Sequence, residues 1–171
     1  MFDSTLEVIE IPLTQGKVAI IDFDDYERVS HYKWYAHKDK ATFYAYANTK
    51  TECGESVKLK MHRLIMNASI LKQVDHINGD GLDNRRSNLR LATQSQNNQN
   101  QRKTRGKSRY KGVSLRCDGK KWCAQVKLNA KIHRLGSFNT EEDAARAYDK
   151  KARELFGEFA RCNFDVSDGI T

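Results

Sequence analysis

The chain has 171 residues, with 30 Lys+Arg against 22 Asp+Glu and a formal net charge of +8. That length accommodates one domain of ordinary size or two small ones, and an apolar fraction of 39% supplies core material, which argues against wholesale disorder. No apolar run nears the roughly 20 residues of a membrane span, and the acidic start Met1–Glu7 has no basic and then apolar leader pattern, so a membrane protein, a secreted disulfide scaffold and a collagen-like fibre are not expected.

Cys53, Cys117, Cys123 and Cys162 form no C-x-x-C pair, so structural zinc is not expected and the thiols read as the reduced cysteines of a cytosolic chain. The charge is uneven. Residues 1–60 hold 8 basic and 10 acidic residues, whereas residues 61–171 hold 22 basic and 12 acidic. Arg102, Lys103, Arg105, Lys107, Arg109 and Lys111 fall together with no acidic residue among them. Such a run is either a solvated linker or a strap that tracks phosphates, where neutralised charge releases counterions. With the whole C-terminal part basic, nucleic acid is the favoured partner.

In chain order, residues 1–60 read as short strands: a β-type run at Lys17–Asp22, a hairpin from Trp34–Ala36 and Phe43–Ala47 about His37–Lys40, and an alternating Val57–Lys60. His31 and His37 lie among aromatic residues, and packing or surface roles outweigh metal binding for both. Residues 61–101 read as strand, long loop, strand and helix. Val74–Ile77 and Leu89–Ala92 are short apolar runs about a Gly/Asp/Asn-rich loop, and Thr93 with Gln96 makes a capping box that starts a helix. Residues 110–164 form a β-then-α unit. Val113 and Leu115, then Trp122, Ala124, Val126 and Leu128, alternate with polar residues, and Lys131–Phe138 is a third strand. A helix capped by Thr140 and Asp143 presents Ala144, Ala145, Tyr148, Ala152, Leu155 and Phe156 on one face, with Gly157 as its stop. The fold class is therefore α+β: a small strand–strand–helix module preceded by N-terminal strands, then a three-stranded antiparallel sheet on one helix. The boundaries are 1–60, 61–101, a basic linker 102–109, 110–164 and a tail 165–171.

The chemistry concentrates in the second region. Asp75 and His76 are adjacent and Asn97 follows 21 residues after His76. An aspartate and a carboxamide oxygen suit one hard divalent cation, Mg²⁺ or Mn²⁺. That ion would bind a phosphodiester while neutral His76 takes a proton from water. Neighbouring strand residues face opposite sides, so both can serve one phosphate only if the strand ends at His76. The turn-forming Asn78-Gly79-Asp80-Gly81 supports that. A calcium loop fails, because His76 and Ser87 stand where its first and twelfth acidic ligands belong. On spacing alone, a turn-rich structural hairpin with an incidental histidine is as good a reading as a nuclease site.

Resemblance separates the two. Val-Asp-His-Ile at 74–77, Asp83-Asn84-Arg85, Asn88-Leu89-Arg90 and Asn97, with His62-Arg63 ahead of them, resemble the HNH endonuclease family in its ββα-metal, homing-type form. The resemblance implies that Asp75 and Asn97 are metal ligands, that His76 is the general base, and that Asn88 braces the loop. For His62 and Arg63 packing is favoured over phosphate contact. Tyr110-Lys111-Gly112-Val113, Trp122-Cys123-Ala124, Leu135-Gly136-Ser137-Phe138, Glu142–Asp149 and Asn163-Phe164 resemble the plant Apetala-two/ethylene-response-factor DNA-binding domain, which lays its sheet in the major groove. That likeness places Lys111, Arg116, Gln125, Lys127 and Arg134 toward DNA. Alternation agrees for Arg116, Gln125 and Lys127, while Trp122 falls on the inward face. Ser114 and Asp118 depart from the plant pattern, so its target sequence does not transfer.

The expectation is a divalent-cation-dependent DNA endonuclease of phage or bacterial homing type that nicks duplex DNA as a monomer, with no small-molecule cofactor, in the cytoplasm of a bacterial host. The alternatives are a DNA-binding regulator with a non-cleaving HNH remnant and, less favoured, an RNA binder.

Overall fold

The computed structural model describes residues 7–39, 42–101, 106–129 and 131–165. The chain divides into two compact units, residues 1–94 and 95–171.

In the first unit, β1 (Val8–Pro12) pairs antiparallel with β2 (Val18–Asp22), and the short helix α1 (Tyr26–Ser30) follows. β3 (Trp34–Asp39), β4 (Thr42–Lys50) and β5 (Ser56–Lys60) form an antiparallel meander. The first two strands are longer than the aromatic clusters alone predict, because backbone pairing continues from Trp34–Ala47 to Asp39–Thr42. A five-residue helix, α2 (Met61–Ile65), follows β5 directly. It has no capping side chain and is too short to be legible as a periodic pattern. Its reason is tertiary, since Met61 and Ile65, four apart on one face, are both fully buried. They join Ile11, Ala19, Ile21, Val29, Trp34, Ala45, Ala47, Val74 and Leu89 in one core. Residues on both sides of position 60 therefore share a single apolar interior. Burying a side chain the size of Ile21 or Met61 is worth ~1.5–3 kcal/mol.

β6 (Gln73–His76) and β7 (Leu89–Ala92) make a two-stranded antiparallel ribbon, and α3 (Gln94–Asn100) begins just after Thr93. The long loop between the strands is stitched to β2. Ile20 N donates to Leu82 O at 2.8 Å and Asn84 N donates to Ile20 O at 2.7 Å. It also approaches β4 closely. A Cβ at Gly81 would overlap the Phe43 carbonyl and the Tyr44 ring, so only glycine lets the loop settle there.

The second unit holds β8 (Val113–Leu115), β9 (Trp122–Leu128) and β10 (Lys131–Phe138) in the order β10-β9-β8, all antiparallel. α4 (Glu141–Phe156) covers one face. Thr140 caps it by accepting from Asp143 N, and Gly157 ends it at φ 53°. Ala144, Ala145, Tyr148 and Ala152 are buried against Val113, Ala124 and Val126, with Trp122 and Phe138 packed at the edge. Gly112 combines φ +75° with contact against the Tyr148 ring, so a side chain fits neither the backbone nor the space.

Candidate functional site

β6 ends at His76, as the chemistry requires. Gly79 N donates to His76 O at 2.9 Å and closes a turn immediately beyond the strand. Asp75, one residue earlier, sits opposite Arg90 across the ribbon. Both are well covered, and Arg90 grips one carboxylate oxygen twice, Nε to Oδ2 at 2.9 Å and Nη2 to Oδ2 at 2.8 Å. The carboxylate is thereby held in a fixed orientation by a charge-assisted fork. Arg90 falls in the HNH-like motif of the sequence but was given no role there. Pairing the two apolar runs antiparallel would have exposed it, since opposite charges favour facing positions.

The His76 ring is 5% exposed and held on three sides. Tyr44 lies edge-on at 5.6 Å between centroids and His62 lies edge-on at 5.0 Å. Tyr44 and His62 also meet each other, at 5.6 Å. On the third side His76 Nε2 is 3.3 Å from Asn84 Oδ1. Asn84 is fully buried, and its Nδ2 donates to Leu82 O at 3.0 Å, which fixes which end of the amide is oxygen. An oxygen can only accept, so Nε2 carries the proton and the basic lone pair of neutral His76 lies on Nδ1. Burial pushes His76 below the ordinary histidine range, partly opposed by the Asn84 bond and by Asp75, Asp80 and Asp83. His62 is pushed well below that range by burial first, then by His76, Lys60 and Arg63. Its Nδ1 is buried without a hydrogen-bond partner among the described residues.

Asn88 ties the loop to the strands. Its Nδ2 donates to Asp83 O at 2.8 Å and to Asn78 Oδ1 at 3.1 Å, and its Oδ1 accepts from Asn78 N at 3.0 Å. Arg85 forks onto Asp83 at 2.8 and 2.7 Å and holds that carboxyl below its ordinary range. Arg63 does not reach outward. Its guanidinium donates to Lys72 O, Ala68 O and Ser69 O and sets the loop before β6. Asn97 lies in α3, in the stretch that opens the second unit.

Of the basic strap, Arg102, Lys103 and Arg105 lie outside the described residues. Lys107 is exposed. Arg109 is exposed but engaged, donating to Glu142 Oε1 at 2.7 Å and lying 4.8 Å over the Tyr110 ring. Lys111 is turned inward. Its ammonium donates to Gln99 O, and burial lowers its pKa to about 8. It therefore braces the fold rather than presenting charge to a phosphate. On the uncovered face of the sheet, Gln125 and Lys127 of β9 are exposed, and Arg134 of β10 stands exposed directly opposite Gln125. Arg116 is exposed just past β8, with Asp118 at 3.3 Å.

Three side chains that build the site were given no role from the sequence: Tyr44, and Asn84 and Arg90, which entered only as letters of the HNH-like motif. Tyr44 gave no local signal, being one aromatic among several in a strand. No cluster of three or more His, Cys, Asp or Glu residues suited to a metal occurs among the described residues. No helix among them is long and apolar enough to cross a membrane.

Comparison with known proteins gives this geometry its class. The profile of the HNH endonuclease family matches residues 71–99, from just before β6 into α3. An uncharacterized HNH endonuclease of Acanthamoeba polyphaga mimivirus is 33% identical over 169 residues, covering 95% of this chain and 83% of the viral protein. The chain belongs to the HNH endonuclease family and is a nuclease. An ethylene-responsive transcription factor of Arabidopsis thaliana is 41% identical over 69 residues, 39% of this chain but only 16% of the plant protein. A dehydration-responsive element-binding protein 2A of rice (Oryza sativa subsp. indica) is 42% identical over 69 residues, 36% of this chain and 25% of its own length. Together the matches make DNA the partner. Nucleases of the HNH family generally use a divalent metal ion.

Proposed function

We propose that this chain is a divalent-cation-dependent DNA endonuclease of homing type that nicks one strand of a duplex and leaves 3′-hydroxyl and 5′-phosphate ends. One observation carries the reading: His76 stands at the end of β6, one residue after Asp75, its proton fixed on Nε2 by Asn84 and its ring clamped by Tyr44 and His62. That is how a general base is kept in one tautomer and one orientation. Nδ1 accepts the proton of the attacking water. Asn88 keeps the 78–88 loop, and with it Asn84, in register.

Asp75 and Asn97 would hold the cation. Both offer hard oxygen ligands, which fit Mg²⁺ or Mn²⁺ better than zinc, and Arg90 fixes the orientation of the Asp75 carboxylate. When bound, the ion stabilises charge developing on the phosphate and the leaving oxygen. Lys107, Arg109, Arg116, Gln125, Lys127 and Arg134, with Arg102, Lys103 and Arg105, would position the duplex. Arg102, Lys103, Arg105, Lys107 and Arg109 would follow the phosphate backbone, and Arg116, Gln125, Lys127 and Arg134 would face bases. With one such site among the described residues, a monomer cuts one strand.

The Arg90–Asp75 fork also favours a second reading, a DNA-binding regulator whose carboxylate is permanently occupied. Incubation of supercoiled plasmid with the full chain separates them. The nuclease reading expects open circles with Mg²⁺ and none with chelator. Unchanged plasmid bound by protein under both conditions overturns it, and linear product overturns the single-strand assignment.

A further inference from the structure

Ile70 and Leu71 are 93% and 89% exposed, the most exposed large apolar residues described in this chain. Isolated surface leucines are ordinary, but two adjacent bulky aliphatics standing almost wholly in water are not. They do not sit on a slack segment. The loop that carries them, between α2 and β6, is held from below by Arg63, whose guanidinium donates to Ala68 O at 3.1 Å, Ser69 O at 2.7 Å and Lys72 O at 2.8 Å. These three carbonyls flank the apolar pair on both sides. Lys72 N donates to Ser69 O at 3.1 Å and closes a turn across Ile70 and Leu71. The result is a braced turn with two exposed apolar side chains at its tip and the exposed Lys72 beside them.

Its position relates it to the nuclease site. β6 starts at Gln73 and ends at His76. At ~3.3 Å per strand residue, β6 alone separates Gln73 from His76 by about 10 Å, and the tip lies beyond its start. That is on the order of three base steps at ~3.4 Å each.

We propose that Ile70 and Leu71 form an apolar wedge that enters the minor groove of the bound duplex and parts a base step a few nucleotides from the cut. Apolar side chains on a braced loop, here with the exposed Lys72 beside them, are the chemistry by which proteins unstack a step and kink the helix. The kink opens the groove at the scissile strand, and the stiffness from Arg63 lets the insertion bend the DNA instead of the loop. The proposal rests on DNA being the partner, but not on cleavage.

The test uses the full chain in chelator, so that no cutting occurs, and a duplex of about 20 base pairs with a dye at each end. Kinking brings the ends together and raises energy transfer. The expected result is a rise in transfer at saturating protein that disappears in the Ile70→Ser/Leu71→Ser double variant, while anisotropy shows that this variant still binds within about threefold. Leu71→Trp should add a tryptophan signal that is quenched by stacking when DNA is added. Equal energy transfer with the double variant overturns the wedge. So does a loss of affinity with undiminished bending in the bound fraction, which makes the pair a plain contact. A change in gel-filtration volume between wild type and the double variant also overturns it, since the pair then joins two copies of the chain. If the plasmid assay shows no cleavage while bending persists, the nuclease reading fails and the wedge stands.

Discussion

Replacing Asn84 tests the site most directly, because its two ends do different jobs. Oδ1 receives His76 Nε2–H at 3.3 Å, and Nδ2 donates to Leu82 O at 3.0 Å in a fully buried position. Asn84→Ala removes both. At ~1 kcal/mol net for each bond, the first unit loses about 2 kcal/mol. For a unit of this size each kcal/mol lowers the melting midpoint by roughly 4–8 °C, so the expected fall is about 8–16 °C. Catalysis loses the group that orients the base. Removing such a supporting partner typically costs 10–100-fold, equivalent to about 1.4–2.7 kcal/mol on the barrier. Asn84→Asp keeps an acceptor for His76 but loses the donor to Leu82, so it should be destabilised yet cleave faster than Asn84→Ala at temperatures where both are folded. The assay is single-turnover nicking of supercoiled plasmid, with folding followed by circular dichroism in the same buffer. Wild-type cleavage by folded Asn84→Ala, or equal losses in the two variants, would refute the assignment of the proton to Nε2 and of Nδ1 as the base.

Other expectations follow from the same geometry. His76→Ala should abolish nicking, by at least 10²-fold for loss of a general base, while leaving DNA affinity by band shift nearly unchanged; a folded variant that loses binding would remove His76 from the catalytic role. Gly112→Ala should destabilise the second unit by more than about 2 kcal/mol, since a Cβ at φ +75° overlaps the Tyr148 ring. A melt of that variant showing an unchanged second unit would contradict the packing. The acid limb of stability should depend on Asp83, whose carboxyl Arg85 holds below its ordinary value. The unfolded chain therefore takes up its proton first as pH falls, so this contribution is intact above about pH 5, and it is lost as pH drops through the ordinary carboxylate range toward the lower folded value. Urea titrations at pH 7 and at about pH 3 should show the loss, and Arg85→Met should reduce it. An equal acid loss in that variant would deny the pair its part.

Much of this protein is written locally. α4 follows from Thr140 and Asp143 at its start, an apolar face at helical spacing, and Gly157 at its stop. β9 follows from strict alternation of Trp122, Ala124, Val126 and Leu128, which also turns Gln125 and Lys127 outward. The ends of the ribbon that carries Asp75 and His76 are legible from turn chemistry and the short apolar runs, but on spacing alone the histidine could be incidental, and the part given to Asn88 came from resemblance to the HNH family. Such features depend on residues a few positions apart, where backbone geometry alone sets which side chains share a face. The tertiary structure decided the rest. α2 exists because Met61 and Ile65 fill the core, Lys111 turns inward to a carbonyl twelve residues away, and Tyr44, His62 and Asn84 close around one imidazole from three separate segments. Contacts across tens of residues are set by how strands and loops pack, and no periodicity along the chain encodes which two side chains will meet.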